Sequence, residues 1–253
     1  DEIVRLHNVT YNEAEGLVPA LTVYRLFLES TAAEELIVPD VSIREGVLMS
    51  FALGSEWSVE RQFYGQVIAS AENLARRYHY DQEHSRHVAN LALSLFDQLQ
   101  EEHAMDHHAR MLLEVAAILH DIGTYIRASG HHKHGQYIIQ NSEIFGISRD
   151  DLRIISNVVR YHRKALPNSA HTSFVALRRE QRMLVLKLAS ILRLADALDR
   201  GHAQRVRSVN VEITGGDVIL QCDYAGDISI ERYGFGAKAS MFEEVFGLNA
   251  VIA

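Results

Sequence analysis

Apolar residues recur at helical spacing through most of the chain and switch to alternation only near its end. Amphipathic segments cover 59–78, 83–101, 106–121, 132–145, 148–163 and 178–200, and each predicts a helix. The separators carry breakers: Gly123, Gly130, Gly146 and the turn Leu166-Pro167-Asn168-Ser169. Upstream, the pattern predicts a helix over Pro19–Leu28, a short strand Leu36-Ile37-Val38 and a short helix from Ile43 to Met49. Seven of the 15 glycines lie from Gly201 onward, where the period falls to two. Val209–Ile213, the turn Thr214-Gly215-Gly216-Asp217 and Val218–Leu220 read as a hairpin. Ile228–Glu231 reads as a third strand and Ala237–Phe246 as the last helix. The expected fold is mainly α, with a helical domain over 55–205 and a small β-rich α+β unit over 206–253. Residues 1–54 are too few for a core of their own and are expected to be a packing segment or the end of something larger.

Composition narrows the setting. A length of 253 residues allows one large domain or two smaller ones. Apolar runs are broken by charges well before 18 residues, so no transmembrane helix is expected. Net charge is −8, which argues against a membrane surface or a nucleic-acid partner. The single Cys222 excludes a disulfide framework and a Cys-rich zinc site, and fits a reducing, cytoplasmic setting. Asp1-Glu2-Ile3-Val4 lacks the shape of a signal peptide. Of 14 histidines, 12 fall between His79 and His171, so the chemistry is sought there.

The sharpest local feature is Ile118-Leu119-His120-Asp121-Ile122-Gly123, at the end of the apolar run Met111–Leu119. A helix that apolar is buried and carries an imidazole and a carboxylate inward. An unpaired carboxylate there costs several kcal/mol (roughly), so it needs a partner or a metal. In the 83–101 helix the apolar stripe is Val88, Leu91, Ala92, Leu95 and Leu99. At about 100° per residue, His84 falls near that stripe and His87 well off it. The helix ending Leu192-Arg193-Leu194-Ala195-Asp196-Ala197-Leu198-Asp199 brings two acids into apolar surroundings. Helical geometry alone does not choose between Asp196 and Asp199. A lone His-Asp pair is equally consistent with a hydrogen-bonded helix end.

His84, His120-Asp121 and Asp196 resemble the H…HD…D signature of the HD superfamily of metal-dependent phosphohydrolases. Neutral imidazole and carboxylate oxygen suit a divalent ion and leave positions open for water and phosphate. Three further stretches are similar to the exopolyphosphatase/guanosine pentaphosphate phosphohydrolase (Ppx/GppA) family. They are His131-His132-Lys133-His134, Tyr161-His162-Arg163-Lys164 and the Leu192–Arg200 helix. The closing Phe242-Glu243-Glu244-Val245-Phe246-Gly247 matches that family's last small domain. Val41–Leu48 resembles, more loosely, the tail of its second actin-like domain.

The resemblance implies an HD-like helical domain, an actin-like remnant over 1–54, and a homodimer acting on a phosphorylated small molecule or polyphosphate. It implies a divalent metal (Mg, Mn, Fe or Zn) held by His84, His120, Asp121 and Asp196. His162 and His134, or His132 in its place, join as further ligands. Asp121 and His162 are then catalytic, with Arg163, Lys164 and Arg193 on the substrate phosphate. The family's polyphosphate or pentaphosphate hydrolysis resides in two actin-like domains with Gly-rich phosphate loops, motifs these 253 residues do not contain. Two expectations follow. Either the HD-like site is itself a metal-dependent phosphohydrolase, or the chain is a polyphosphate-binding, nucleotide-binding or dimerisation module.

Overall fold

The computed structural model describes residues 4, 10–35, 37, 46, 48, 59–163 and 165–253. The chain divides into two compact units, Asp1–Trp57 and Ser58–Ala253. In the first, helix α1 (Tyr11–Glu29) contains the predicted Pro19–Leu28 segment and begins eight residues earlier. Of the predicted strand at 36–38 only Ile37 is described. Of the helix from Ile43 to Met49, Gly46 and Leu48 are described, and both are helical. The remainder of those two predicted elements lies outside the described residues.

The second unit begins with α2 (Val59–Arg77), α3 (Gln82–Gln98), the single turn α4 (Gln100–His103) and α5 (His107–Leu119). A 3₁₀ turn at Ile122–Tyr125 leads to α6 (His131–Gln140) and α7 (Arg149–Tyr161). A short α8 (Thr172–Val175) and the long α9 (Arg179–Leu198) complete the helical part. Local chemistry sets the starts. The Asp81 carboxylate accepts from the His84 amide, Asp106 from that of Ala109, and Ser148 forms a reciprocal capping box with Asp151.

Helix α5 lies at the centre, against α2, α3, α7 and α9. Leu112, Leu113, Val115, Ala116, Ala117 and Leu119 have no exposed surface. Each large aliphatic side chain buried this way contributes about 1.5–3 kcal/mol. That burial holds the end of α5, and with it His120-Asp121, deep in the unit. Among the described residues no helix is long and apolar enough to cross a membrane.

The hairpin forms as expected, β1 (Val206–Thr214) antiparallel to β2 (Asp217–Tyr224). It is pinned to α3 where His87 Nε2 donates to the Val206 carbonyl (2.7 Å) and Gln98 bridges Val209 and Val211. Ile228–Glu231 is not a strand. The Asp227 carboxylate accepts from both the amide and the hydroxyl of Ser229 and starts α10 (Ser229–Phe246) there. The third strand is β3 (Asn249–Ile252), parallel to β2 with Val218 opposite Ala250. Helix α10 packs along α9, which brings the C-terminal segment to the end of α9. Burial pushes the Cys222 thiol up to about 11, so that cysteine is unreactive at neutral pH.

His103, the last residue of α4, is 1% exposed. Its Nε2 donates to the Phe96 carbonyl (2.7 Å) and its Nδ1 accepts from the Met105 amide (2.9 Å), so the neutral ring is fully satisfied. Burial lowers its pKa, and Lys187 nearby adds to the effect. A lowered folded pKa means the unfolded chain binds more protons, so stability is present above the unfolded value and falls below it. Urea midpoints should therefore decline as pH drops through about 6.5. The decline should be shallower in His103→Gln, measured from pH 7.5 to 5.5.

Candidate metal centre

Four histidine rings meet at the ends of α3, α5, α6 and α7, and in each the ring orientation is set by Nδ1. His120 donates Nδ1–H to the Ala117 carbonyl (2.7 Å), His162 to that of Val159 (2.6 Å), and His131 to that of Ala128 (2.9 Å). His84 donates Nδ1–H to Asp199 Oδ2 (2.8 Å), and Asp199 is 1% exposed. Carbonyl and carboxylate oxygens only accept, so each neutral ring keeps its proton on Nδ1 and presents a bare Nε2. The four Nε2 atoms face one another in pairs. His84 and His120 are 3.1 Å apart, and His131 and His162 are 3.2 Å apart.

Two lone pairs cannot hydrogen-bond to each other, so each pair suits a cation between its members, either a metal ion or a shared proton. Metal–imidazole bonds are about 2.0–2.1 Å, which puts neighbouring ligand atoms on one ion roughly 3 Å apart. The observed separations match that spacing. Burial pushes the His162 imidazole down to about 3, with His120 adding to the effect, so this ring is neutral at pH 7 and competent as a ligand.

The carboxylates complete the donor sets. Asp121 turns Oδ2 toward His120 Nε2 (3.7 Å) and Oδ1 toward His131 (3.1 Å) and His162 (3.6 Å). Its two oxygens thus serve different pairs. Asp196 Oδ1 is 3.8 Å from His84 Nε2 and 4.0 Å from His120 Nε2. Its other oxygen accepts from Lys238 of α10. Two groups with metal-ligand spacing result, His84–His120–Asp196 and Asp121–His131–His162, and a third joins His84, Asp121 and His202. Burial opposes ionisation of both acids. Lys238 with His120 nevertheless holds Asp196 below the ordinary carboxylate range, and His120 with His162 does so for Asp121.

Gly123 allows this convergence. A Cβ there would lie 2.0 Å from the His131 carbonyl oxygen and 2.4 Å from the Gly135 nitrogen. The turn after Asp121 therefore rests directly on the first turn of α6, which places His131 against Asp121. Both obstacles are backbone and cannot rotate away. Gly123→Ala is expected to cost about 1–3 kcal/mol or more in chemical denaturation, and to weaken metal retention by separating His131 from Asp121.

Asp121, His131, His162, Arg163, Asp196, Arg200, His202 and Lys238 line a cleft of about 190 Å³ over the cluster. A larger cleft of about 620 Å³, between Gln140, Arg149, Arg153 and Ser173, has no histidine or carboxylate in its lining. Size does not mark the chemistry here.

The structure brings together His84, His120, Asp121, Asp196 and His162 of the residues read from sequence. It also separates the two acids of α9: Asp196 faces the cluster and Asp199 stands behind His84. Neither His134 nor His132 belongs to the groups; the ligand-spaced histidine of that helix is His131, its first residue. Arg193 does not line the cleft. It is 2% exposed, with Nε donating to the Tyr161 carbonyl (2.6 Å) and Nη2 to that of Ala165 (2.7 Å), and burial pushes its pKa down to about 10. Its guanidinium ties down the chain after α7. Lys164 lies outside the described residues. Sequence reasoning missed His131, Arg200, His202 and Lys238. Only Lys238 left a signal, a charge three residues after Phe235 and three and four before Met241 and Phe242, on the buried stripe of α10.

Comparison with known proteins agrees with this region. The guanosine-5'-triphosphate,3'-diphosphate pyrophosphatase of Pseudoalteromonas translucida is 29% identical over 211 residues, covering 83% of this chain and 40% of the relative. That of Pseudoalteromonas atlantica is 26% identical over 176 residues, 69% of this chain and 33% of the relative. The chain thus spans well under half the length of these curated relatives. Residues 68–226 match the family described as Ppx/GppA phosphatase, domain III. That match takes in more than half of the 253 residues and every residue of the two ligand groups, and on it the chain belongs to the Ppx/GppA phosphatase family.

Proposed function

We propose that the chain is an HD-type, divalent-metal-dependent phosphohydrolase acting on a phosphoanhydride or phosphoester. The observation that carries the reading is the pair of facing Nε2 lone pairs with one carboxylate turned to both. His84, His120 and Asp196, with Asp121 Oδ2, would hold one ion; Asp121 Oδ1, His131 and His162 would hold a second. When bound, such ions supply Lewis acidity toward a phosphoryl oxygen and acidify water at neutral pH. The chain's own residues do the rest. Asp199 and three backbone carbonyls keep the imidazole protons on Nδ1, so that every Nε2 stays available. His162 has Nε2 alone facing the cleft and reads as a ligand, not a proton donor. Arg163 lies on the cleft wall, and by resemblance Lys164 adds to the charge facing substrate.

The relatives' name points to guanosine pentaphosphate as a substrate for this chain as well, and the family resemblance adds polyphosphate. A cytoplasmic homodimer accords with the single cysteine and the resemblance. A second reading is a non-catalytic polyphosphate- or nucleotide-binding module. It is favoured by the relatives' length, since the activity in their name belongs to proteins at least twice this size.

The test is to load the purified chain with Mn²⁺, then follow phosphate release from guanosine pentaphosphate, polyphosphate and pyrophosphate, with and without EDTA. Release that EDTA abolishes supports the first reading. Saturable polyphosphate binding without release would replace it with the second.

A further inference from the structure

The turn from Asp199 to Gln204 meets the metal centre through Asp199, which orients His84, and through His202, which shares a ligand-spaced group with His84 and Asp121, and it is fixed from three sides. Asp199 Oδ1 accepts from the amides of Ala203 (3.1 Å) and Gln204 (2.7 Å). The Gly201 amide donates to Glu231 Oε1 of α10 (3.1 Å), and Glu231 is itself 1% exposed. His202 lays its ring flat on His84, centroids 3.5 Å apart and planes 11° apart, and donates Nδ1–H to Asp81 Oδ2 (2.9 Å). His202 and Gln204 hold φ of 51° and 48°, left-handed values uncommon for non-glycine residues. A turn so restrained presents its one remaining long side chain, Arg200, to the cleft.

Arg200 reaches the cleft by lying across Gly234 of α10. A Cβ at that glycine would come 2.4 Å from Arg200 Cδ and 3.2 Å from Nε. The obstacle is a flexible side chain, so an added methyl would move the arginine and not the fold. Among the described residues neither the Arg200 nor the Arg163 side chain makes a hydrogen bond or ion pair, so both guanidinium forks on the cleft wall are open to an anion. The space is about 190 Å³, below the roughly 300 Å³ at which pockets enclose whole small molecules. It suits a phosphoryl or diphosphate end, with the rest of the substrate outside.

We propose that the 199–204 turn is an anion-recognition strap whose Arg200, seated on Gly234 and acting with Arg163, grips the terminal phosphoryl group of a phosphoanhydride. The proposal rests on the phosphohydrolase reading for the substrate class, but its geometry does not require turnover. Gly234 is a positioning residue, acting through Arg200.

Pyrophosphate affinity, measured calorimetrically in EDTA and again with Mn²⁺, tests it in wild type, Arg200→Gln, Gly234→Ala and the double variant. Arg200→Gln should raise Kd about tenfold, as expected for loss of a charge-assisted fork. Gly234→Ala should raise it several-fold with metal content unchanged and no lowering of Tm, because alanine favours the helix interior over glycine. The double variant should be no weaker than Arg200→Gln alone, since Gly234 acts through that side chain. Additive effects, or wild-type affinity in both single variants, would overturn the strap; so would a wild-type chain that does not bind pyrophosphate. Binding that follows the expected pattern without hydrolysis would leave the strap standing and remove the enzyme reading.

Discussion

Asp121→Asn is expected to strip the chain of divalent metal while its helices stay folded. Among the described residues, Asp121 is the one whose two oxygens face both imidazole pairs, at 3.7 Å from His120 on one side and 3.1 Å from His131 on the other. Asparagine keeps the shape but removes the charge, and turns one of those oxygens into an NH₂ that cannot ligate. Changes to groups that only orient ligands cost 10–100-fold in metal affinity, so loss of a shared ligand should cost at least about 100-fold. Elemental analysis after dialysis should fall to background. Circular dichroism should keep the helical signal, because the apolar core of α5 does not involve this side chain. Hydrolysis of any phosphorylated substrate should disappear with the metal.

Lys238→Met is expected to produce the largest loss of stability among single changes at the centre. Lys238 and Asp196 are both largely buried, 8% and 13% exposed by side chain, and bonded to each other. Removing the ammonium takes away the cation bonded to Asp196, and a buried charge orphaned in this way costs about 3–5 kcal/mol. Urea denaturation in EDTA should show that loss. Added Mn²⁺ should recover part of it, since a bound ion supplies the missing positive charge and stabilises the folded state by mass action. A change below about 1 kcal/mol, the range of exposed ion pairs, would mean the contact carries little.

The helices are legible in the sequence because an amphipathic stripe is a local property. The Met111–Leu119 run announces a buried α5, and the stripe from Val88 to Leu99 puts His84 inward and leaves His87 at the hairpin. What needs tertiary information is read less well. Ile228–Glu231 is too short to separate a period of two from one of 3.6, and the Asp227 cap decides it. The parallel pairing of Asn249–Ile252 with β2 depends on residues about 30 positions away. His131, His132 and His134 differ by about 100° steps around α6. The phase that selects His131 comes from the close approach of Gly123, which no pattern within 131–134 reveals. Arg193 reads as a free cation in sequence because its partners are backbone carbonyls beyond the end of α7. Asp196 and Asp199 look equivalent along α9, and only the position of His84 divides their roles.

Anomalous diffraction from crystals of the chain loaded with Mn²⁺ or Zn²⁺ tests the metal centre most directly. Two peaks are expected, one between Nε2 of His84 and His120 beside Asp196, the other between Nε2 of His131 and His162, with Asp121 touching both. Peaks elsewhere, or none at the imidazole pairs when the solution holds excess metal, would contradict it.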